Sequence, residues 1–334
     1  MRRLGLIASL GAAGAGLWWL RQRANYDLTD KLVLITGGSR GLGLAMAREF
    51  ARRGSRLALC ARDPDELQRA QQDLAARGAS VDVFTCDLMQ KEDVERLAAE
   101  ISERLGPIDV LVNNAGRIEV GPLESATDDD FARSMATHFW APYWAMKALL
   151  PDLKQRRGRI VNISSIGGKL GVPHLVAYDA GKFALAGLSE GMAAELRKDG
   201  VRVLTVYPGL MRTGSPRNAN FKGQHRKEYA WFSVSGSAPL LTIAAERAAH
   251  KIVNACLRGD SSLVITPAAK VAALFHELAP NVIIPALGVV NRLLPRDGGV
   301  GSDSRKGHES ESAVTRSPAT ILNQRAARRL NESA

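Results

Sequence analysis

The chain has 334 residues, 46% of them hydrophobic and 24% charged, enough apolar material for one sizeable core with room for extensions. A formal net charge of +11 admits nucleic acid, an anionic membrane surface or an anionic small molecule as partner. No zinc-finger spacing, aromatic-spaced basic strand or basic heptad accompanies that charge, so nucleic acid is set aside, and the bland reading is a soluble basic surface.

The front end stands apart. Arg2 and Arg3 precede an uncharged, largely apolar run over residues 4–20 that closes on Trp18 and Trp19, with Arg21 and Arg23 beyond. Seventeen helical residues span about 25 Å, slightly short of a roughly 30 Å hydrocarbon core. Trp at the boundary with Arg outside fits a membrane anchor over residues 1–26. A cleaved signal peptide and a soluble amphipathic leader are the rivals, although the bulky end of the run lacks a small-x-small cleavage pattern. Basic residues flank both ends, so orientation stays open.

From residue 27 the pattern changes to short runs rich in Val, Ile and Leu, at 32–36, 56–60, 81–86, 108–112, 159–163, 201–207 and 262–265. They are nearly continuous rather than alternating, as strands covered on both faces should be. Helical spacing fills 44–53, 65–77, 91–104 and 183–197, and Gly54, Gly78, Gly106 and Gly200 fall just past helix ends. Regular alternation of this kind predicts an α/β fold, a Rossmann-type doubly wound parallel sheet of about seven strands over residues 27–266. Two regions break the rhythm: an aromatic-bearing insert between 210 and 241, and a C-terminal extension over 267–334. That extension reads as an apolar stretch over 271–294, a flexible tail from Gly298 to about Ser317, and one last short helix at 321–330. Cys60, Cys86 and Cys256 lie far apart with no CxxC pair, so no disulfide or metal site is expected and a reducing compartment is the default.

The first predicted strand runs into Thr36, Gly37, Gly38, Ser39, Arg40, Gly41, Leu42 and Gly43, with helix directly after. Glycines at such a turn let a pyrophosphate approach the backbone and the helix N-terminus. The spacing is TGxxxGxG, and it resembles that of the short-chain dehydrogenase/reductase family. Further marks of that family follow in order: Cys86-Asp87-Leu88 beside the adenine ring, Asn113-Asn114-Ala115-Gly116 after the fourth strand, and Ser165 at the end of the fifth. Tyr178 and Lys182 match its YxxxK, and Pro208, Gly209 and Thr213 resemble the PGxxxT element that holds the nicotinamide carboxamide. The resemblance covers roughly residues 29–266. It implies an oxidoreductase interconverting a carbonyl and an alcohol, with Tyr178 as acid/base, Lys182 as its modulator and a ribose ligand, and Ser165 bonding the substrate oxygen.

The chemistry agrees with that assignment. A free tyrosine titrates near pH 10, and lowering it by roughly three units takes about 4 kcal/mol of preference for the phenolate. Lys182 one helical turn away and a positive nicotinamide ring are expected to supply it. One departure stands out: aligned on Leu150-Pro151, His138 occupies the place of the family's fourth catalytic residue, an Asn. A histidine can hold the same relay water and would add a pH sensitivity near neutrality; alternatively it fills space and the relay is weakened.

Cofactor choice follows from charge. The acidic residue that NAD-specific relatives carry after the second strand is replaced here by Ala61 and then Arg62, and Arg40 sits in the glycine loop. Two guanidinium groups without a carboxylate suit a 2′-phosphate, which predicts NADP(H). Asp63 reads as the start of the next helix. Phe221, Tyr229, Trp231 and Phe232 in the insert, facing Leu170, Val172, His174 and Leu175, point to an apolar pocket. With the N-terminal anchor, this resembles membrane-bound relatives that handle steroids, retinoids or long-chain ketones with the catalytic domain toward the cytoplasm. Members acting on small soluble ketones share every motif, and a weakened NADP(H)-binding scaffold is the remaining alternative. A homodimer or homotetramer is plausible from the resemblance alone.

Overall fold

The computed structural model of the chain describes residues 26–239 and 241–332. The expected anchor falls on residues 1–26 and so lies outside the described residues except for Tyr26, whose N–H donates to Leu257 O. Among the described residues no helix is long and apolar enough to cross a membrane.

The first half is a regular β-α ladder. Strands β1 (Leu32–Thr36), β2 (Arg56–Ala61), β3 (Val81–Thr85) and β4 (Val110–Asn113) alternate with helices α1 (Gly41–Ala51), α2 (Pro64–Ala75) and α3 (Lys91–Leu105). All residues of β1 and β4 are buried, as their unbroken apolar runs require. Asp63 caps α2 by accepting the Glu66 N–H at 2.9 Å, while Gly54, Gly78, Gly106 and Gly200 take positive φ at the predicted stops.

A short strand β5 (Glu119–Val120) precedes α4 (Asp128–Met135), a π-helical turn at Ala136–Trp140, α5 (Ala141–Ala148) and α6 (Leu150–Gln155). Then come β6 (Arg159–Ile163), the long α7 (Val176–Glu195) and β7 (Arg202–Tyr207). Helix α7 starts well before the predicted residue 183, because Gly181 is held there by packing rather than by helix propensity: a Cβ on it would lie 2.6 Å from Ser134 Oγ. The insert folds as β8 (Met211–Arg212), α8 (Ser215–Asn218), β9 (Asn220–Phe221), α9 (His225–Ser235) and β10 (Ile243–Ala244). It is followed by α10 (Ala245–Arg258) and β11 (Ser262–Val264).

The seven strands of the main sheet run in the order β11-β7-β6-β4-β1-β2-β3, all neighbours parallel. One face is covered by α1, α2 and α10, where Phe50 and Met46 meet Ala248, Ala249 and Ile252; the other is covered by α3, α5 and α7. Strand order reverses between β4 and β1, which opens a crevice at their C-terminal ends, the usual place for a ligand in such sheets. All three cysteines are buried and unpaired.

The C-terminal extension departs from its expected form. The apolar stretch is a helical hairpin, α11 (Pro267–Leu278) and α12 (Pro280–Asn291), and no residue of α12 is buried. The tail read as flexible is instead packed onto the domain. Strand β12 (Arg305–Lys306) pairs antiparallel with β9, and a final helix α13 (Ile321–Arg329) places Ala326 and Leu330 in the main core. Its polar residues satisfy one another rather than water: Ser310 Oγ donates to Lys306 O at 2.8 Å and Thr320 Oγ1 to Thr315 O at 2.7 Å.

Candidate active site

The crevice is built from the backbone outward. Thr36 ends β1 beside Asn113 of β4, and its Oγ1 accepts the N–H groups of Asn114 at 3.0 Å and Ala115 at 3.2 Å. Asn114 Nδ2 donates back to Thr36 O at 3.1 Å and Gly37 O at 3.0 Å, so the two loops brace each other. Gly37 and Gly41 adopt φ of +62° and +57°, and a Cβ on Gly37 would lie 2.8 Å from Ala115 Cα. Gly43 packs against the carbonyl of Gly37, where any side chain would collide, and Leu42 is buried below. The loop therefore puts backbone rather than side chains at the N-terminus of α1, a cradle whose shape fits a dinucleotide's phosphates.

Around that cradle the remaining expected residues take their places. Asp87 follows β3 and accepts the Met89 N–H at 3.1 Å, and Leu88 is buried against α3. Gly116 faces His138, whose Cε1 would lie 3.3 Å from an added Cβ. Pro208 O accepts the Ile166 N–H at 2.8 Å, Gly209 packs against Thr266, and buried Thr213 donates through Oγ1 to Ser215 Oγ at 2.9 Å. Arg62 is exposed at the end of β2. Arg40 is less free than expected, because its Nη1 bonds Glu66 Oε1 at 2.7 Å while Ser39 Oγ donates to Glu66 Oε2 at 3.0 Å.

Ser165, Tyr178, Lys182 and His138 converge where β6 meets α7. Ser165 leaves β6 in extended backbone and its Oγ accepts the Gly167 N–H at 3.1 Å, which frees its own proton for the Tyr178 hydroxyl beside it. Lys182 lies one turn along, 5.6 Å from the Tyr178 ring centre, 4% exposed, with Nζ donating to Ile163 O at 2.8 Å. Burial pushes Tyr178 up to about 12, eased by Ser165, and burial alone brings Lys182 down to about 7. The expected depression of the tyrosine is thus not built into the protein alone; two dehydrated groups each favour their neutral form.

His138 sits on the π-helical turn, a distortion common at functional sites, with its ring edge-on to Tyr178 at 5.2 Å. Its Nε2 meets Arg117 O at 2.9 Å; a carbonyl only accepts, so Nε2 carries the hydrogen and Nδ1 keeps a lone pair. That Nδ1 is buried with no hydrogen-bond partner among the described residues. Burial, helped by the Lys182 charge, holds His138 well below the usual histidine range, away from the near-neutral titration expected.

Several supporting residues carried no motif. Asn113 Nδ2 donates to Asn162 Oδ1 at 2.8 Å, and Asn162 Nδ2 to Ser189 Oγ at 2.5 Å, a buried polar ladder from β4 through β6 to α7. Ser164 Oγ donates to Lys182 O at 2.9 Å. Asp179 accepts the Val172 N–H at 2.6 Å and is pushed up to about 8 by burial. Beyond Tyr178, Val172, Leu175, Phe221, Tyr229, Trp231 and Phe232 form one apolar cluster. Beside it, Glu228, fully buried, holds His174 Nδ1 at 2.9 Å and the Trp231 indole N–H at 2.6 Å. A Ser, an Asn or an Asp beside a motif residue is too ordinary a neighbour to stand out in one sequence.

Comparison with known proteins decides the family, since residues 31–222 match the family model described as short chain dehydrogenase. The chain belongs to the short-chain dehydrogenase family. The dehydrogenase is 34% identical over 269 residues to a "Dehydrogenase/reductase SDR family protein 7-like" of Anopheles gambiae, covering 78% of this chain and 83% of that one. Among solved structures it resembles a short-chain dehydrogenase from Streptomyces avermitilis at TM-score 0.68 and 30% identity, covering 79% of this chain and 98% of the other. It also resembles L-sorbose reductase from Gluconobacter frateurii, solved with NADPH and L-sorbose, at TM-score 0.65 and 27% identity over 72% and 97% of the two chains. The dehydrogenase is accordingly a nicotinamide-dependent oxidoreductase acting on CH–OH or C=O groups of a small molecule.

Proposed function

We propose that the dehydrogenase is an NADP(H)-dependent carbonyl reductase for a lipophilic substrate, with Tyr178 as the proton donor. The observation that carries this reading is the convergence of Ser165, Tyr178 and Lys182 at the mouth of the glycine-loop crevice, with Ser165 bonded to the tyrosine hydroxyl. The glycine loop, Asp87, Leu88, Asn114, Ala115, Gly116, Tyr178, Lys182 and the Pro208–Thr213 segment would hold the cofactor, which when bound would supply the hydride. Ser165 Oγ–H bonds the substrate oxygen, and Tyr178, held as the neutral phenol, donates its proton as charge develops there. Lys182 orients the cofactor's ribose, and its ammonium form favours the phenolate left behind. The lone pair on His138 Nδ1 suits it to hold a relay water in place of the family's Asn.

The absence of an acidic residue after β2 favours NADP(H). Arg62, exposed just after β2, is a cation available to a 2′-phosphate there. The aromatic cluster against Tyr178 supports an apolar substrate. Val271, Leu274, Phe275, Leu278, Val282 and Leu293, exposed on and just beyond the α11–α12 hairpin, support contact with an apolar phase in addition to the segment at 4–20. Exposed Trp140, Val176 and Phe183 beside the site support a homodimer or homotetramer through these helices.

The test is NADPH and NADH oxidation against ketones and aldehydes graded from small to lipid-like. Activity with NADPH should rise with substrate apolarity. Tyr178→Phe should lower kcat by at least about a hundredfold, the usual contribution of a positioned acid, while NADPH binding persists. Equal rates for the variant would remove Tyr178 from the chemistry.

A further inference from the structure

The last described residues of the chain lie in the cofactor crevice. Helix α13 ends in the main core at Leu330, and its carbonyl accepts the Gly41 N–H, the first amide of α1, at 2.9 Å. Asn331 Nδ2 donates to Ser39 O at 2.9 Å and to Glu66 O at 3.0 Å, and its Oδ1 accepts from Arg69 at 2.8 Å. The Glu332 carboxylate accepts the Gly214 N–H at 2.5 Å and faces Ser215 Oγ at 3.4 Å; on its other side it meets Gly41, where an added Cβ would lie 3.1 Å from Oε1. Gly214 is required for this approach, because a Cβ there would lie 2.5 Å from Glu332 Cβ. Only 7% of Glu332 is exposed.

These contacts bridge the glycine loop and the segment after Thr213, the two walls between which a dinucleotide must lie. The Leu330 carbonyl occupies the Gly41 N–H, an amide that a pyrophosphate would use at a helix N-terminus, and the Glu332 carboxylate occupies the Gly214 N–H on the opposite wall. The Glu332 carboxyl group packs on Gly41, so a diphosphate cannot approach that part of the loop while it is there. We propose that residues 330–332 are an intramolecular ligand of the cofactor's pyrophosphate site and that NADP(H) binds only as Asn331 and Glu332 are displaced. The proposal rests on the dinucleotide reading of the glycine loop.

Burial pushes the Glu332 carboxyl up to about 7, against the pull of the Gly214 N–H, Arg40 and Ser215, with Glu66 adding to the rise. A carboxylate that resists ionisation in its own pocket is a weak competitor for a diphosphate, so the tail can gate entry without preventing it. The core anchor at Leu330 keeps the released residues close for return.

NADPH affinity is to be measured by fluorescence titration on the full chain, on Glu332→Gln, on Asn331→Ala and on a chain ending at Asn331. A site freed of its internal ligand no longer loses apparent affinity to the closed fraction, so all three variants should bind NADPH more tightly, the shortened chain by at least about fivefold. In the full chain, saturating NADPH should also speed amide hydrogen exchange at residues 331–332, read by mass. Unchanged or weaker NADPH binding by the variants, with no change in exchange, overturns the displacement and makes the tail inert or part of the site. Failure of every form, full chain included, to bind NADPH overturns the dinucleotide reading itself and the proposal with it.

Discussion

At the scale of single residues, the site is governed by dehydration. Tyr178, Lys182 and His138 are each driven toward the neutral form by burial, and the neutral phenol is the state a proton donor in reduction needs. Asp179, next to the tyrosine, shows the cost. Its Oδ1 is buried without a hydrogen-bond partner among the described residues, and its carboxyl is pushed up from 3.8 to about 8. Between those values the folded protein keeps a proton that the unfolded chain has lost, so stability falls as pH rises through that window and levels off above it. The slope from this one group is about 1.4 kcal/mol per pH unit. Asp179→Asn removes the titration while keeping an acceptor for Val172. Denaturation at a series of pH values from 4 to 8 should therefore show a flatter decline for the variant, with its advantage greatest at the alkaline end; parallel curves would show that Asp179 is not buried as a neutral acid.

At the scale of elements, the grouping of Tyr178, Lys182 and His138 depends on how closely α7 approaches α4 and the π-helical turn. Gly181, between Tyr178 and Lys182, leaves room for Ser134 and for His138, whose Cβ would lie 3.1 Å from an added Cβ. Gly181→Ala should cost about 1–3 kcal/mol, the usual range for overpacking. Because the displaced helix carries both Tyr178 and Lys182, kcat should fall by more than the lost stability explains. Thermal denaturation alongside NADPH-dependent turnover separates the two effects, and an unshifted melting temperature would mean that the helices are not in tight contact. The same packing explains why helical periodicity alone placed the start of α7 too late.

At the scale of the whole molecule, the C-terminal extension belongs to the same cooperative unit as the dinucleotide-binding sheet. Leu330 is fully buried with Ala326 in the core that also contains Leu42, Leu44 and Phe50. Leu330→Ala should lower the stability of the entire domain by about 2–5 kcal/mol, the range for emptying a buried leucine site. One transition at a lower denaturant concentration is expected. A retained midpoint, or a separate early transition confined to the tail, would show that the extension is independent of the domain. The exposed α11–α12 hairpin contributes little to that core and leaves a surface rich in Val, Ile and Leu.

The sheet was legible in sequence because each of its strands is a local run of apolar residues and each turn a local choice of glycine; neither depends on distant partners. The site motifs were equally legible, since TGxxxGxG, Tyr178 with Lys182, and Ser165 each lie on one loop or one helix face. Tertiary structure alone decided what those residues experience. Burial pushed Lys182 and His138 toward their neutral forms, Glu66 took up Arg40, and Glu228 took up His174 across 54 residues of chain. The tail was misread for the same reason: its composition is polar, and only pairing with β9, a helix seated in the core and a carboxylate placed on the distant Gly214 amide make it part of the fold. Composition reports how a segment meets water; it does not report which distant groups will replace that water.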